Sequence, residues 1–404
     1  MSKIKEIEVE QPLVRESQRP TGVDSIKISG RIYNYRSLKT VSFLILKEEG
    51  RTYQLVVKDK RQKEVLNKKS LNDYLLVLAI KEDEDLILDR IIKSYDTIAE
   101  VPYPFYDNSP VSREIKLKYR NYELCSLESY QIFSFRSRLL KNIRSFFEAN
   151  NHIEITTPKI ISIGAEGGSE LFKVRYFEKM AYLSQSPQLY KQMTINQGFK
   201  KCFEIGPIFR GEKSNTNRHL AEATSVDFEM ELSLASPLEE LIEYNILFLR
   251  SILTNILKDP NEKIACRAQD LLSELEKIKR SSDEDYNSED KSGFRILDTF
   301  EKKDKPFYIK AKGISSLGFD IEYNGLELTS GGIREENYSI LTKEMSLRGH
   351  YLEGFKSYLR TFKGGAPIQG GNAYGLERLM MIILEKENIR ETTMYHRDRK
   401  VIAF

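Results

Sequence analysis

Arg210, Arg218, Arg334 and Arg378, together with Lys191 and a few oxygen-bearing side chains, have the types and spacings from which a site for anions could be built. Arg210 ends the run Phe203-Glu204-Ile205-Gly206-Pro207-Ile208-Phe209-Arg210. Alternation puts Phe203, Ile205, Pro207 and Phe209 on one strand face and Glu204, Gly206, Ile208 and Arg210 on the other. Arg210 would then project over Gly206, whose missing side chain leaves room for a flat ligand. Residues 211–223 form a polar loop containing Glu212, Lys213, Arg218 and His219. Ordinary hairpin loops have roughly 2–5 residues, so a longer one marks a functional or mobile segment. A second strand, Thr224–Leu232, alternates Val226, Phe228, Met230 and Leu232 with Ser225, Asp227, Glu229 and Glu231.

Upstream, Pro187 would open a helix that places Gln188 and Lys191 at i,i+3 on one face. A lysine aimed into a pocket can pair with a carboxylate, and a neighbouring amide fixes its orientation, so such a pocket prefers an acid over its amide. Downstream, Gly318–Tyr323 reads as a strand that turns at Asn324-Gly325 into Leu326–Arg334. Strict alternation sets Glu327 and Ser330 on opposite faces, so joint action requires a bulge, which Gly331-Gly332 would allow. Arg378 opens a helix rich in Leu379, Met380, Met381, Ile382, Ile383 and Leu384. An arginine there needs a partner, because a buried lone charge is expensive. A structural carboxylate such as Glu377 would serve.

The elements that carry these residues fall into two groups. Between Ser25 and Tyr95 lie five short strands: Ile26–Ile32, Val41–Leu46, Arg51–Val57, Tyr74–Ala79 and Ile87–Tyr95. One charged, helix-friendly stretch, Lys58–Lys69, separates the third from the fourth. That is the pattern of an OB-fold barrel, whose open face binds single-stranded nucleic acid. A proline-marked linker follows, and then a long amphipathic helix over Leu127–Asn150. Its apolar stripe is Ile132, Phe133, Leu139, Leu140, Ile143, Phe146 and Phe147. The helix leads into Ile153–Ile160, a strand ending in proline at Pro158. Residues 258–312 are the least informative, and no chemistry is assigned to them.

Composition narrows the setting. At 404 residues the chain suits two or three domains with a sizeable core. Its formal charge of +3 makes any basic surface local. Three scattered cysteines build neither a disulfide framework nor a zinc site, which points to a reducing, cytoplasmic compartment. No apolar run approaches the roughly 18 residues of a membrane span, so no membrane is expected. The N-terminus alternates charges and lacks the apolar stretch of a secretory signal.

The stretches F-E-x-G-P-x-F-R, S-N-T-x-R-H-L and D-x-E-M (residues 203–230), Q-S-P-Q-x-x-K-Q (185–192) and G-L-E-R (375–378) resemble class IIb aminoacyl-tRNA synthetases, in particular their aspartyl branch. The resemblance implies an α+β chain. An OB-fold anticodon-binding barrel would span residues 1–100 and a linker 101–126. A catalytic domain over 127–404 would be an antiparallel sheet flanked by helices, with motif 1 near 132–160, motif 2 near 203–232 and motif 3 near 370–390. It also implies roles. Arg210, Glu212, Arg218, His219, Glu327 and Arg378 would bind ATP, and Glu327 and Ser330 would hold Mg²⁺. Glu166 and Glu170, in the glycine-punctuated loop Ile163–Phe172, would join Gln188, Lys191, Asp227 and Arg334 around L-aspartate. In the barrel, Arg36, Phe43 and Gln54 stand where the family reads the anticodon; Phe43 could stack on a base, or alternation with Ile45 could bury it. The implied partners are ATP, L-aspartate, tRNA(Asp) and a second copy of the chain through motif 1.

The implied chemistry is attack of the aspartate α-carboxylate on the α-phosphorus of ATP, followed by transfer of the adenylate's acyl group to the tRNA 3′ end, with or without discrimination against tRNA(Asn). Two alternatives are a paralogue that adenylates aspartate or an analogue for a small acceptor, and a catalytically quiet RNA-binding protein. Four departures from the family pattern cluster near the amino-acid pocket: Ile333, Gln369, Ala373 and the C-terminal segment Tyr395–Phe404.

Overall fold

The structure, a computed structural model, describes residues 25–98, 102–103, 110–164, 170–211, 215–283 and 287–402. The chain divides into two compact units, Met1–Ile132 and Phe133–Phe404.

In the first unit β1 (Ser25–Ser37), β2 (Ser42–Glu48), β3 (Arg51–Val57), β4 (Tyr74–Glu82) and β5 (Asp85–Tyr95) close a barrel in the order β1-β2-β3-β5-β4. Helix α1 (Lys60–Leu66) lies between β3 and β4, capped by the Asp59 side chain, which accepts from Gln62 N. This is the OB arrangement expected from the strand spacing. One residue in two points inward: Leu44, Leu46, Leu55, Val57, Leu75, Val77 and Ala79 fill the barrel. Short helices α2 (Arg113–Lys118) and α3 (Arg120–Glu123) follow.

Helix α4 (Leu127–Ala149) leads into the second unit. Phe135, Leu139, Ile143, Phe146 and Phe147 are its most buried apolar residues, whereas Phe133 and Leu140 are only half-buried. The strand expected over Ile153–Ile160 is two short pieces, β6 (Ile153–Glu154) and β7 (Ile160–Ile161), with Pro158 between them. A hairpin of β8 (Lys173–Tyr176) and β9 (Lys179–Leu183) pairs with β7. Helix α5 (Gln188–Asn196) is followed by the long pair β10 (Lys201–Phe209) and β11 (Glu222–Glu231).

Beyond these come α6 (Pro237–Ile256), α7 (Glu262–Leu275), β12 (Lys279–Arg280), β13 (Phe294–Leu297), β14 (Ala311–Lys312) and β15 (Ser315–Ser316). The last elements are β16 (Gly318–Tyr323), β17 (Leu326–Ile333), α8 (Tyr338–Leu347), α9 (Lys356–Phe362), β18 (Gln369–Gly375) and α10 (Leu376–Ile383).

The central sheet has eight strands in the order β12-β13-β16-β17-β18-β11-β10-β6. It is antiparallel except for two-residue parallel pairings at its edges, β12 with β13 and β10 with β6. One face packs on helices through aromatic rings: Phe147 stacks on Phe203 at 4.8 Å and Tyr374 meets Phe248 at 4.9 Å. Among the described residues no helix is long and apolar enough to cross a membrane.

Candidate active site

The other face of the sheet carries the polar residues of β10, β11, β17 and β18. Register explains their convergence: Glu204 pairs with Asp227, Asp227 with Ala373, and Ala373 with Ser330. Above this face opens a cavity of about 310 Å³. Arg210, Arg218, His219, Glu327, Ser330 and Arg378 line it, as do Ser186, Gln188 and Arg334. Arg210 and Arg378, 168 residues apart in the chain, therefore face a single space.

Arg210 is exposed at the end of β10, and its backbone N–H donates to Ala221 O at 2.9 Å. Among the described residues no side chain meets its guanidinium. Gly206 sits elsewhere than expected: a Cβ there would meet Glu204 Oε1 and Lys159 Nζ, each at 3.3 Å. Its small size accommodates a half-buried ion pair rather than a ligand. Glu204 accepts from Thr157 N (2.9 Å), Thr157 Oγ1 (2.7 Å) and Lys159 Nζ (2.9 Å), and so ties the motif 1 segment around Pro158 to β10.

Arg378 is partnered by Glu327, not Glu377. Its Nη1 donates to Glu327 O at 2.8 Å and Glu327 Oε1 at 3.2 Å. Glu377 points the other way, accepting from Thr224 N at 2.9 Å and facing Arg136 at 3.4 Å. Glu327 and Ser330 do share a face. The bulge that allows it lies at Leu328, where Thr329 opposes Ile321 and Glu327 opposes Glu322, and not at Gly331-Gly332. Two residues count as one, so Glu327 and Ser330 are both exposed while Leu328 and Thr329 are buried.

Beneath Arg334 lies a closed charge cluster. Arg334, 2% exposed, donates through Nε to Glu229 Oε1 (2.7 Å) and through Nη2 to Glu229 Oε2 (3.0 Å), Gln188 Oε1 (3.0 Å) and Gly371 O (2.7 Å). Lys191 is wholly buried and does not line the cavity. Its ammonium donates to the Phe228 and Asn372 carbonyls at 3.2 Å each. It also lies 2.9 Å from Asp227 Oδ1, off the line of a hydrogen bond, and 3.7 Å from Glu229 Oε2. Two cations and two anions thus neutralise one another out of water, the condition under which buried charge is tolerable. Glycine is required beside them: a Cβ on Gly371 would lie 2.5 Å from Glu229 Oε2 and 2.1 Å from Phe228 O.

The structure thus brings Gln188, Lys191, Asp227 and Arg334 together, with Lys191 and Asp227 below the cavity floor. Glu170 stands apart: it is exposed, and its backbone bridges to Gly211. Glu166 and Glu212 lie outside the described residues. In the barrel Arg36 pairs with Phe43 and Gln54 with Ile45, all on the outer face, while Leu44 and Leu46 point into the core. Phe43 is therefore not a core residue.

Two residues went unassigned in the sequence. Glu229 shares the alternation of Asp227 and was readable as a polar-face acid; nothing in the strand says it is the one that grips Arg334. Lys305, from the stretch given no chemistry, lines the cavity, donates to Asp320 Oδ1 at 2.6 Å and Ser330 Oγ at 3.3 Å, and lies 3.7 Å from the Phe300 ring centroid. Burial raises the Asp320 carboxyl from its ordinary value, and the Lys305 ammonium opposes that rise.

Comparison with known proteins agrees with this geometry. The family described as tRNA synthetases class II (D, K and N) matches residues 112–399. The aspartate–tRNA(Asp/Asn) ligase of Methanopyrus kandleri is 35% identical over 93% of this chain and 95% of its own length. The aspartate–tRNA(Asp) ligase of Pyrococcus abyssi is also 35% identical, with the same coverage. Among solved structures, asparaginyl-tRNA synthetase from Pyrococcus horikoshii complexed with asparaginyl-adenylate shares the fold at a TM-score of 0.83 and 22% identity, over 99% of this chain and all of that one. A match over most of the chain, joined to a cavity shared by Arg210 just past β10 and Arg378 of α10, places this protein in the class II tRNA synthetases of the D, K and N group.

Proposed function

We propose that this chain activates L-aspartate with ATP and transfers it to the 3′ end of tRNA. The observation that carries the reading is the single cavity lined by Arg210, Arg218 and Arg378 and also by Arg334. In the first step an oxygen of the aspartate α-carboxylate forms a bond to the α-phosphorus, the bond from that phosphorus to the bridging oxygen breaks, and pyrophosphate leaves. The substrate supplies the nucleophile, so the protein must neutralise charge and hold the attack in line. Arg210 would meet the α-phosphate as negative charge builds there. Arg218, His219 and Arg378 would hold the departing pyrophosphate. Arg334, aligned by Glu229 and Gln188, would receive the substrate's side-chain carboxylate. Lys191 would offset the charge of Asp227 and Glu229 beneath it; Asp227 lies below the cavity floor, so the substrate ammonium would meet Glu166 and Glu170 instead. Glu212 would complete the nucleotide contacts.

Glu327 and Ser330 fit a magnesium site. Both are hard oxygen donors exposed to the same cavity, and Mg²⁺ commonly takes one or two protein oxygens and completes its shell with phosphates and water. Bound there, Mg²⁺ would neutralise phosphate charge. Among the described residues no three His, Cys, Asp or Glu side chains group for a metal, so the nucleotide would bring the remaining ligands.

The exposed outer face with Arg36, Phe43 and Gln54 suits an anticodon loop. The names of the relatives, aspartate–tRNA(Asp/Asn) and aspartate–tRNA(Asp) ligase, support tRNA(Asp) as acceptor and leave tRNA(Asn) to assay. The edge strand β6 and the exposed apolar residues Ile153 and Ile160 support a homodimer through the motif 1 face, which light scattering on an Ile153→Glu variant would check. The proposed setting is the cytoplasm, where Cys125, Cys202 and Cys266 remain free thiols.

The decisive experiment is ATP–pyrophosphate exchange with aspartate, asparagine or lysine, followed by charging of tRNA. Exchange with aspartate alone is expected; equal exchange with asparagine would remove the acid-selecting role of Arg334.

A further inference from the structure

We propose that the C-terminal segment Ile389–Val401 clamps the nucleotide-facing loop, with Arg390 as its positioning residue. The inference rests on the nucleotide-binding reading of that loop. Arg390 is 7% exposed, and its fork reaches four groups. Nε donates to Asp398 Oδ2 at 2.5 Å and Nη2 to Asn215 Oδ1 at 2.5 Å. Nη1 donates to Thr216 O at 3.1 Å and Asn388 Oδ1 at 3.2 Å. The neighbouring Ile389 N–H donates to Asn217 O at 2.9 Å.

These contacts reach cavity residues through one intermediary. Thr216 Oγ1 lies 2.6 Å from His219 Nδ1 and accepts from Arg218 N at 3.2 Å. At the other end of the loop Ala221 N donates to Arg397 O at 2.8 Å, and Arg210 N donates to Ala221 O at 2.9 Å. Leu220 is buried against Met381 and Ile389. Residues 215–218 are otherwise exposed and polar. The loop's own sequence therefore offers little to hold it, and its order is imposed from about 170 residues away in the chain. A loop held before the nucleotide arrives loses less freedom on binding.

The test uses full-length Arg390→Lys and Asp398→Asn. Lysine keeps a positive charge beside Asp398 but cannot fork to Asn215 and Thr216 together. In the ligand-free protein, tryptic cleavage after Arg218 should accelerate about tenfold in both variants. In aspartate-dependent pyrophosphate exchange the KM for ATP should rise about tenfold, with the KM for aspartate held within about twofold. Asn215→Ala repeats the test on an exposed side chain, away from the buried pair. Unchanged cleavage after Arg218, or a parallel change in both KM values, overturns the clamp. If the unaltered chain shows no ATP-dependent exchange, the nucleotide reading falls, and the cleavage rate alone still decides the clamp.

Discussion

Glu229→Gln keeps the shape of the side chain and removes one charge from the sealed cluster. Glu229 is fully buried and accepts Arg334 Nε at 2.7 Å, Arg334 Nη2 at 3.0 Å and Gln188 Nε2 at 3.3 Å. Lys191, 3.7 Å away, would be left with Asp227 as its nearest anion, and Arg334 with none of its carboxylate bonds. Removing one partner of a buried pair costs about 3–5 kcal/mol. At roughly 2–4 °C per kcal/mol for a unit of this size, the melting midpoint should fall by about 6–20 °C. Glu231→Gln, an exposed position two residues along the same strand, should shift stability by no more than about 0.5 kcal/mol. Urea unfolding of both variants reads the difference. Pyrophosphate exchange at a temperature where Glu229→Gln is folded should show a raised KM for aspartate, because Arg334 has lost the partner that aims it. A Glu229→Gln chain that melts like the Glu231→Gln control and keeps its KM for aspartate would refute the idea that this carboxylate holds both cations.

Arg378→Lys should lower exchange by about 10²–10³ yet barely move the melting point. Its pair with Glu327 is 22% and 48% exposed, and such pairs contribute about 1 kcal/mol or less. His152 is buried against Phe147 and Tyr244, and that burial, with Lys201 nearby, lowers its pKa from 6.5 to about 4. The unfolded chain therefore takes up this proton first. The stabilisation is complete above about pH 6.5 and is lost as pH falls towards 4, by up to about 3 kcal/mol. The difference in unfolding free energy between the unaltered chain and His152→Phe should follow that slope; a flat difference would show that His152 takes up its proton as readily in the fold as in the unfolded chain. Phe43→Ala should weaken tRNA binding by about 1–3 kcal/mol while leaving exchange intact, as filter binding and exchange on one preparation would show.

Much of this was legible because strand alternation survives in the fold. Phe203, Phe228 and Tyr374 go to the helices, and Asp227 and Glu229 to the site, as the two-residue period requires. The i,i+3 pair Gln188 and Lys191 was readable for the same reason, since a helix has a fixed period. Periodicity does not say how deep a residue lies, so the sequence offers Lys191 as a pocket lysine, whereas it lies below the floor. The extra residue in β17 was hidden because Leu326-Glu327-Leu328-Thr329 has no glycine or proline to mark it. Lys305 and Arg390 were missed because their partners, Asp320, Ser330, Asn215 and Thr216, are brought to them only by the tertiary fold.

The supernumerary Leu328 makes a count of three along β17 equivalent to two. Removing that leucine alone would leave an unbroken ladder against β16, with Glu322 still opposite Glu327 and Ile321 opposite Thr329. Both oxygens would go on looking the same way. What would vanish is the local bend, so the oxygens' separation, and not their direction, is what the additional residue sets. This is a rare point in a sheet where a one-residue shortening preserves the facing of everything upstream, whereas the same cut in β10 or β11 would turn every side chain beyond it to the opposite side.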